Sequence, residues 1–391
     1  MTAASELVER VRSAVNPERL LRTAFALMEV HSPTCSAGPA ADRLEEVLKA
    51  DGFEVERPEA GAPQSKALAC RWSTGKPGRT LQFNGHLDTV HLPFVPPRVE
   101  DGILHGTGAS DMKGGIAASI EAMRVVRDLG LISGGGLLLT AHDFHEAPWG
   151  DGRQVDRLIE AGYFGDAVLL PEYLCDRLPV VGRGLAVLTV EITRTGQPVH
   201  EVMGGIEQPN VIFAGADLVR RMQTLDQRLL STADPAAGRA SCFVGKVASG
   251  EIYNQSPTRF ELSGTRRWLP GTNPTEVEQE FRSMLSDVAA ESGTRVDGIF
   301  QLIRDAFRLP ETHPILDAFQ AATVAVTGKP LPTGPKPFVD DGNTFCALAR
   351  VPAITHGPNA TGAHTVNEQV PVDELVRVAQ VYALTAAGFC G

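Results

Sequence analysis

Residues 81–90 have the sequence LQFNGHLDTV, in which a short apolar strand ends in Gly85-His86-Leu87-Asp88. Side chains alternate along a strand, so His86 and Asp88 are expected to lie on the same side where this strand ends. An imidazole backed by a carboxylate is the usual surrounding of a metal-bound histidine. Taken alone, the pattern also fits a buried core histidine or a loop salt bridge.

Three further segments place a carboxylate or an imidazole beside the end of a predicted strand or the start of a helix. Asp111 lies in GTGASDMKGG just before a helix, where a helix N-cap is the simpler interpretation. Glu172 ends the apolar strand in LLPEY, and His364 lies in the glycine-rich loop GPNATGAHTVNE before the last helix. Ligands of open α/β sheets gather at the carboxyl ends of strands, so these three residues are candidates for one site.

The segment HDFHEAPWGDG, residues 142–152, follows another predicted strand. It crowds four ionisable or ligating side chains into five positions, and these are His142, Asp143, His145 and Glu146. Such a cluster is difficult to explain as solvated surface. We therefore expect this segment to belong to the same site.

The alternation of strands and helices predicts an α/β fold with a layered main domain. After residue 183 the pattern changes to a long strand, a helix at 209–225, two further strands and a helix that starts at Asn273-Pro274. We predict a discontinuous catalytic domain of residues 1–183 and 297–391, which holds all the candidate ligands. It is interrupted by a compact α+β insert of residues 184–296.

Composition excludes several classes of function. The chain has 36 basic and 47 acidic residues and a net charge of −11, which disfavours nucleic acid and anionic membranes as partners. The six cysteines form no CxxC pair, so we expect reduced and mostly buried thiols rather than a disulfide framework or a thiolate metal site. No signal peptide or membrane span is recognisable, and a cytoplasmic location is the expectation.

Five motifs together resemble the M20 metallopeptidase family: GHLDTV, GASDMKGG, HEAP, the strand end at Glu172, and GAHTVNE. The resemblance spans nearly the whole chain, including the position of the insert. This family is similar to acetylornithine deacetylases, succinyl-diaminopimelate desuccinylases, aminoacylases and related carboxypeptidases. The resemblance implies a zinc-exopeptidase-like catalytic domain with a central mixed sheet and an inserted dimerisation or lid domain.

Carried over by position, the resemblance implies two divalent cations per chain. His86, Asp111 and Glu172 would hold one cation, and Asp111, Glu146 and His364 would hold the other, so that Asp111 bridges them. The resemblance also implies that Asp88 is one of the catalytic residues. Nitrogen and carboxylate ligands without sulfur suit zinc and also admit manganese or cobalt. Two such cations would activate water and polarise the scissile carbonyl.

The sequence departs from the family at the catalytic base. The family usually has two adjacent glutamates, of which the first accepts the proton of water and the second binds metal, but here the pair is His145-Glu146. We favour His145 as base or proton shuttle and Glu146 as ligand. Asp143 is an alternative base, and a third possibility is that Glu146 is the base and His145 a ligand.

The insert carries a second set of candidates. His200, in TGQPVHE, resembles a family histidine that reaches the active site of a dimer partner and hydrogen-bonds the developing oxyanion. Asn254, in IYNQSP, and Arg267, in TRRWLP, match positions that hold a substrate carboxylate, although a turn asparagine and a surface ion pair are simpler interpretations. Asp341, in VDDGNTF, resembles an acidic position that supports the metal or contacts substrate, and an Asp-Gly turn is its alternative.

These features predict a dinuclear metal-dependent hydrolase that cleaves an amide-type C–N bond in a small, carboxylate-bearing substrate. The first choice is an N-acyl amino acid deacylase or exopeptidase that works as a homodimer through the insert, paired by the strand at 185–195 or the helix at 209–225. One alternative is hydrolysis of another C–N bond, in a carbamoyl, amidine or aryl-amine group. The other is a metal-binding module that has lost hydrolytic activity.

Overall fold

The computed structural model describes residues 3–391, which form two units. The first unit comprises the chain up to Val180 together with Leu309–Gly334 and Thr344–Gly391. The second comprises Val181–Arg308 and Pro335–Asn343. Residues 181–183, 297–308 and 335–343 thus belong to the second unit, whereas the sequence analysis assigned them to the catalytic domain.

The helices are α1 (Ala3–Ala14), α2 (Pro17–Met28), α3 (Gly38–Ala50), α4 (Lys113–Asp128), α5 (Arg153–Glu160), α6 (Val211–Leu229), α7 (Pro274–Ser292), α8 (Pro314–Thr327), α9 (Asp341–Thr344) and α10 (Val372–Cys390). A 3₁₀ turn (Glu201–Met203) and a π-helical turn (Phe345–Ala349) supplement them. Within residues 3–391, none of these helices is long and apolar enough to cross a membrane.

The strands are β1 (Glu54–Glu56), β2 (Leu68–Ser73), β3 (Thr80–His86), β4 (Arg98–Glu100), β5 (Ile103–His105), β6 (Gly136–His142), β7 (Ala167–Leu170), β8 (Leu178–Gly182), β9 (Gly184–Thr193), β10 (Val199–His200), β11 (Ala233–Asp234), β12 (Gly238–Arg239), β13 (Ser241–Ser249), β14 (Gln255–Ser256), β15 (Arg259–Trp268), β16 (Arg295–Arg304), β17 (Phe307–Arg308), β18 (Thr333–Pro335), β19 (Ala353–Thr355) and β20 (Gln369–Pro371).

The first unit is built on a mixed six-stranded sheet of order β1-β2-β6-β3-β7-β19. Strands β6, β3, β7 and β19 are parallel, and β1 and β2 add an antiparallel edge. His86 and His142 are register partners at the ends of β3 and β6, so the carboxyl ends of the parallel strands meet at one edge. The predicted α/β class with a central mixed sheet is confirmed.

The second unit is an antiparallel sheet of order β13-β15-β9-β16, covered on one face by α6 and α7. Alternate residues of β9, such as Leu188 and Val190, pack against α6 residues such as Leu218 and Met222. Strand β9 pairs with both β15 and β16 along its length, so the prediction that it supplies a free edge for dimerisation is wrong. The pairing of β16 with β9 also explains why residues 297–304 belong to this unit.

Close packing of two glycines fixes the start of α4 against the end of β7. A Cβ atom added at Gly115 would lie 2.0 Å from the Pro171 carbonyl oxygen, and one at Gly114 would lie 2.4 Å from the Ala109 carbonyl oxygen. Because only glycine allows this approach, α4 begins next to the residue that precedes Glu172. The contact therefore brings Asp111 and Glu172 close together.

We expect Gly115→Ala to lower the free energy of unfolding by about 1–3 kcal/mol or more, because the new methyl group meets main-chain atoms that no rotamer change can move. Gly388→Ala in α10 is the matched control, since its Cβ would lie at an ordinary 3.4 Å from the Ala318 Cβ. That substitution should be neutral or stabilising by up to about 1 kcal/mol. Urea unfolding followed by circular dichroism compares the two variants, and equal stabilities would contradict this packing constraint.

Candidate metal centre

The carboxylate of Asp111 lies between two imidazoles of the first unit. Its Oδ1 is 3.1 Å from His86 Nε2, and its Oδ2 is 3.2 Å from His364 Nε2. Asp111 and His86 are buried, and His364 is half exposed. This geometry is what a carboxylate that bridges two cations requires, one oxygen toward each.

A glutamate completes each half of the cluster. Glu172 Oε1 is 3.8 Å from His86 Nε2, and Glu146 Oε2 is 3.1 Å from His364 Nε2. The structure therefore brings the five predicted metal ligands close together. Among the described residues, the groups compact enough for one ion are His86-His145-Glu172 and His86-Asp111-Glu146, so the division of the ligands into two trios stays a prediction. Three carboxylates and two imidazoles converging in a mostly buried space fit divalent cations, and the absence of sulfur among them suits zinc, manganese or cobalt.

The electrostatics of the metal-free cluster show how strongly it favours positive charge. Burial lowers the pKa of His86, but the hydrogen bond and charge of Asp111 outweigh burial and hold that pKa well above its ordinary value. Hydrogen bonds to Asp111 and Glu146 raise the pKa of His364 to about 10. Burial opposes ionisation of Asp111, yet its two histidine partners hold its pKa below the usual range.

Asp88 fixes the loop that carries two other candidates. Its carboxylate accepts hydrogen bonds from the backbone N–H groups of His145 (3.0 Å) and Glu146 (3.0 Å). His86 Nδ1 lies 2.9 Å from the Asp88 carbonyl oxygen and 3.7 Å from its carboxylate. The carbonyl therefore orients the imidazole, whereas the sequence analysis had assigned this task to the carboxylate; Nε2 is left to face Asp111.

His145 lies beside the first trio. Its ring stacks on the His86 ring with centroids 4.0 Å apart and an interplanar angle of 4°. Ligand atoms of His86, His145 and Glu172 also lie within 4.8 Å of one another. His145 is thus close enough to serve either as the base or as an additional ligand, so both interpretations from the sequence stay open.

The hydrogen bonds around Asp143 do not suit a catalytic base. Its carboxylate accepts hydrogen bonds from four donors, which are Cys35 N, Ala37 N, Ser65 Oγ and Phe144 N. Burial nevertheless raises its pKa. These contacts make Asp143 an anchor between loops and remove most of the support for it as the alternative base.

Glu368 is a residue of this centre that the sequence analysis missed. Its buried Oε2 accepts hydrogen bonds from Ser110 N (3.2 Å), Ser110 Oγ (3.0 Å) and Asp111 N (3.1 Å). Burial raises the pKa of Glu368 to about 7. Its position four residues after His364, at the end of GAHTVNE, is the one signal that could have indicated it. Glu368 holds the loop that presents Asp111.

The second unit contains the remaining candidates. His200 Nε2 lies 2.9 Å from Asn254 Nδ2, so these two candidate side chains are hydrogen-bonded to each other. Asp341 is buried and forms an ion pair with Arg304 at 2.8 Å, which gives it a structural role in this unit. Its predicted contact with metal or substrate stays a prediction.

Arg267 differs from its neighbour Arg266. Arg266 forms an ion pair with Glu280 at 3.2 Å, whereas Arg267 has no carboxylate partner among residues 3–391. Burial, and then the charge of Arg183, lowers the pKa of Arg267. Two neighbouring guanidinium groups without a carboxylate partner favour the binding of an anion. Arg183 is thus a second candidate for anion binding, which the sequence analysis missed.

Zinc affinity is expected to rise with pH. At about pH 7.5 the metal-free protein keeps a proton on His364, because its pKa is near 10, and that proton must leave before Nε2 binds a cation. Each released proton raises the affinity about tenfold per pH unit until the pH reaches this pKa. Calorimetric zinc titrations in two buffers of different ionisation enthalpy count the protons, and His364→Gln should release fewer. An affinity that is constant between about pH 6.5 and 8.5 would contradict the expectation.

The chain is similar to known proteins along most of its length. Residues 82–387 match the model of peptidase family M20/M25/M40. A succinyl-diaminopimelate desuccinylase from Acidiphilium cryptum (strain JF-5) is 28% identical over 372 residues, which cover 91% of this chain and 94% of the relative.

Two solved structures share the fold. The aminopeptidase PepT from Bacillus cereus ATCC 10987 has a TM-score of 0.79 at 18% identity, covering 96% of this chain and 99% of its own. The YXEP protein from Bacillus subtilis, described as a dinuclear metal-binding peptidase, has a TM-score of 0.67 at 15% identity, covering 95% and 97%. The chain belongs to peptidase family M20/M25/M40 and is a hydrolase that acts on carbon–nitrogen bonds.

Proposed function

We propose that this chain is a dinuclear metal-dependent hydrolase that removes the acyl group from a small N-acyl amino acid. The observation that carries the proposal is the Asp111 carboxylate, which turns one oxygen toward His86 and the other toward His364. The relative named succinyl-diaminopimelate desuccinylase supports an acylated amine as substrate. A metal-loaded sample assayed against N-acetyl and N-succinyl amino acids tests it directly.

When bound, two divalent cations would polarise the scissile carbonyl and supply a nucleophilic water near neutral pH. His86, Asp111 and Glu172 would hold one cation, and Asp111, Glu146 and His364 the other. Zinc is our first choice, with manganese or cobalt as alternatives. Glu368 keeps Asp111 in place through hydrogen bonds to Ser110 and to the Asp111 backbone.

His145 acts as the general base in this proposal. It takes a proton from water as the water oxygen attacks the carbonyl carbon, and it returns that proton to the amine nitrogen as the C–N bond breaks. An imidazole suits this role because its ordinary pKa is near neutrality. The backbone of His145 is fixed by Asp88, which accepts its N–H hydrogen bond, so the ring starts from a defined position.

Arg267, with Arg183 beside it, would bind the free carboxylate of the substrate. The support for this role is a half-buried guanidinium group without an acidic partner among the described residues. Asn254 would contribute through its contact with His200, and we keep Asp341 as a candidate that acts from the second unit. We expect a cytoplasmic enzyme with no nucleic-acid partner.

One alternative substrate class has a specific feature in its favour. The replacement of the family's first glutamate by His145 is compatible with a carbamoyl, amidine or aryl-amine C–N bond. Turnover of such compounds, without turnover of any N-acyl amino acid, would favour this class. Two bound cations per chain with no turnover of either class would indicate a module that has lost hydrolytic activity.

The role of His145 is tested by its alanine variant. We expect His145→Ala to keep two cations and to lose activity by about 100- to 10,000-fold, because the proton acceptor is gone. His145→Glu, which restores the family's residue, should recover part of that loss. Elemental analysis and kinetics decide: loss of one cation from His145→Ala would assign His145 as a ligand instead.

We also propose that the chain forms a homodimer through its second unit. Large apolar side chains next to His200 and Asn254 are exposed, including Met203, Ile206 and Tyr253, the last of them 98% exposed. Glu201 N donates to the Asn254 carbonyl at 3.0 Å, so the two segments that carry these side chains are adjacent. A contiguous exposed apolar patch is typical of a protein interface. We propose that a second copy covers this patch together with the start of α6, and the resemblance to the M20 family supports a role for His200 in the partner's site.

Mixing two inactive variants tests the cross-chain role of His200. A hybrid of His200→Ala and Asp111→Ala chains has one site with neither lesion, so random exchange should restore about one quarter of wild-type activity. The control mixture of His86→Ala with Asp111→Ala should restore nothing, because both lesions lie in the metal cluster of their own chain. A monomer by sedimentation, or no recovery after demonstrated exchange, would contradict the proposal.

A further inference from the structure

Two aromatic rings form an exposed stack in the first unit. The centroids of the His91 and Trp149 rings lie 4.2 Å apart with an interplanar angle of 12°. His91 is exposed, and Trp149 is 41% exposed although tryptophan is usually well buried. A second ring pair, His31 and Phe94, joins the loop after α2 to the loop that holds His91, with centroids 5.2 Å apart.

Hydrogen bonds hold this stack in place. His91 Nε2 lies 3.1 Å from the Thr34 carbonyl oxygen, so Nε2 carries the proton and donates it. The Trp149 carbonyl oxygen accepts from Cys35 Sγ at 3.5 Å, and Gly150 N donates to the Glu146 carbonyl at 2.7 Å. Because the rings are already ordered, the binding of a ligand that stacks on them would cost the protein little conformational entropy.

The stack shares its loops with the metal cluster. Trp149 follows the candidate ligand Glu146 by three residues, within one hydrogen-bonded turn. His91 follows Asp88 by three residues, and Asp88 accepts hydrogen bonds from the backbone of His145 and Glu146. A substrate whose scissile bond lies at the cluster would therefore have a neighbouring group within reach of the indole.

We propose that Trp149, backed by His91, is a specificity-determining surface that binds a planar aromatic group of the substrate. This inference rests on the proposed function and names the class of substrate within it. One face of the indole is covered by a parallel imidazole. An aromatic ring of the substrate can stack in an offset arrangement on the part of the indole that the imidazole leaves uncovered.

The aromatic group has two possible sources, the acyl side or the amine side of the scissile bond. Two substrate pairs distinguish them. N-benzoylglycine against N-acetylglycine tests the acyl side, and N-acetylphenylalanine against N-acetylalanine tests the amine side. The readout is the ratio of kcat/KM within each pair, which reports preference for the ring.

We expect the wild type to favour the aromatic member of one pair, and Trp149→Ala to reduce that ratio on the order of tenfold. Trp149→Phe, which keeps a ring, should retain most of the preference. The matched control is Phe164→Ala, which removes an aromatic ring of similar exposure in the same unit and should leave both ratios unchanged. Loss of preference in either pair supports the inference and identifies the side; ratios unaffected by Trp149→Ala overturn it.

Equilibrium binding keeps this test separate from the test of the proposed function. The chain has three tryptophans, so the fluorescence of Trp149 is the difference between wild type and Trp149→Phe. We expect N-benzoylglycine or N-acetylphenylalanine to quench that difference signal, and the non-aromatic member of the pair not to. If no N-acyl amino acid is hydrolysed, the proposed function fails, yet selective quenching still supports the aromatic surface; quenching that is equal for both members overturns it.

Discussion

The buried carboxylate of Asp111, shared between two imidazoles, is the interaction on which the rest of this site depends. Taking a carboxylate out of water costs several kcal/mol unless opposite charge or hydrogen bonds compensate. Here His86 and His364 supply that compensation in the metal-free chain, from segments far apart in sequence. Divalent cations would replace the protons that these imidazoles hold. The fold around Asp111, from the glycines of α4 to Glu368, keeps this carboxylate at the meeting point of the strand ends.

Much of the site could be predicted because the candidate ligands lie at strand ends or in short motifs with strong local patterns, such as GHLDTV and GASDMKGG. The helix start predicted at Asn273-Pro274 is confirmed for the same reason, since a cap depends on residues within one turn. Relationships between distant segments could not be predicted. Periodicity along β9 does not reveal that β16 pairs with it, and nothing local to Glu368 indicates that its partner Asp111 lies 257 residues earlier.

The loop after β6 concentrates the features that set this chain apart. The Asp143 carboxylate holds this loop through its hydrogen bond from Cys35 N, and the Asp88 carboxylate accepts a hydrogen bond from His145 N. The backbone of the loop is therefore fixed where its functional side chains begin. Within five positions the loop carries the proposed base His145, the candidate ligand Glu146 and the stacked indole of Trp149. In our proposals, the choice of base and the choice of substrate group would thus both be set by this one loop.

Anomalous X-ray diffraction from zinc-loaded crystals tests most directly whether Asp111 joins two cations. We expect two anomalous peaks per chain with the Asp111 carboxylate between them. One peak would lie against His86 and Glu172, and the other against Glu146 and His364. A single peak, or two peaks of which neither contacts Asp111, would show that Asp111 is not a bridging ligand.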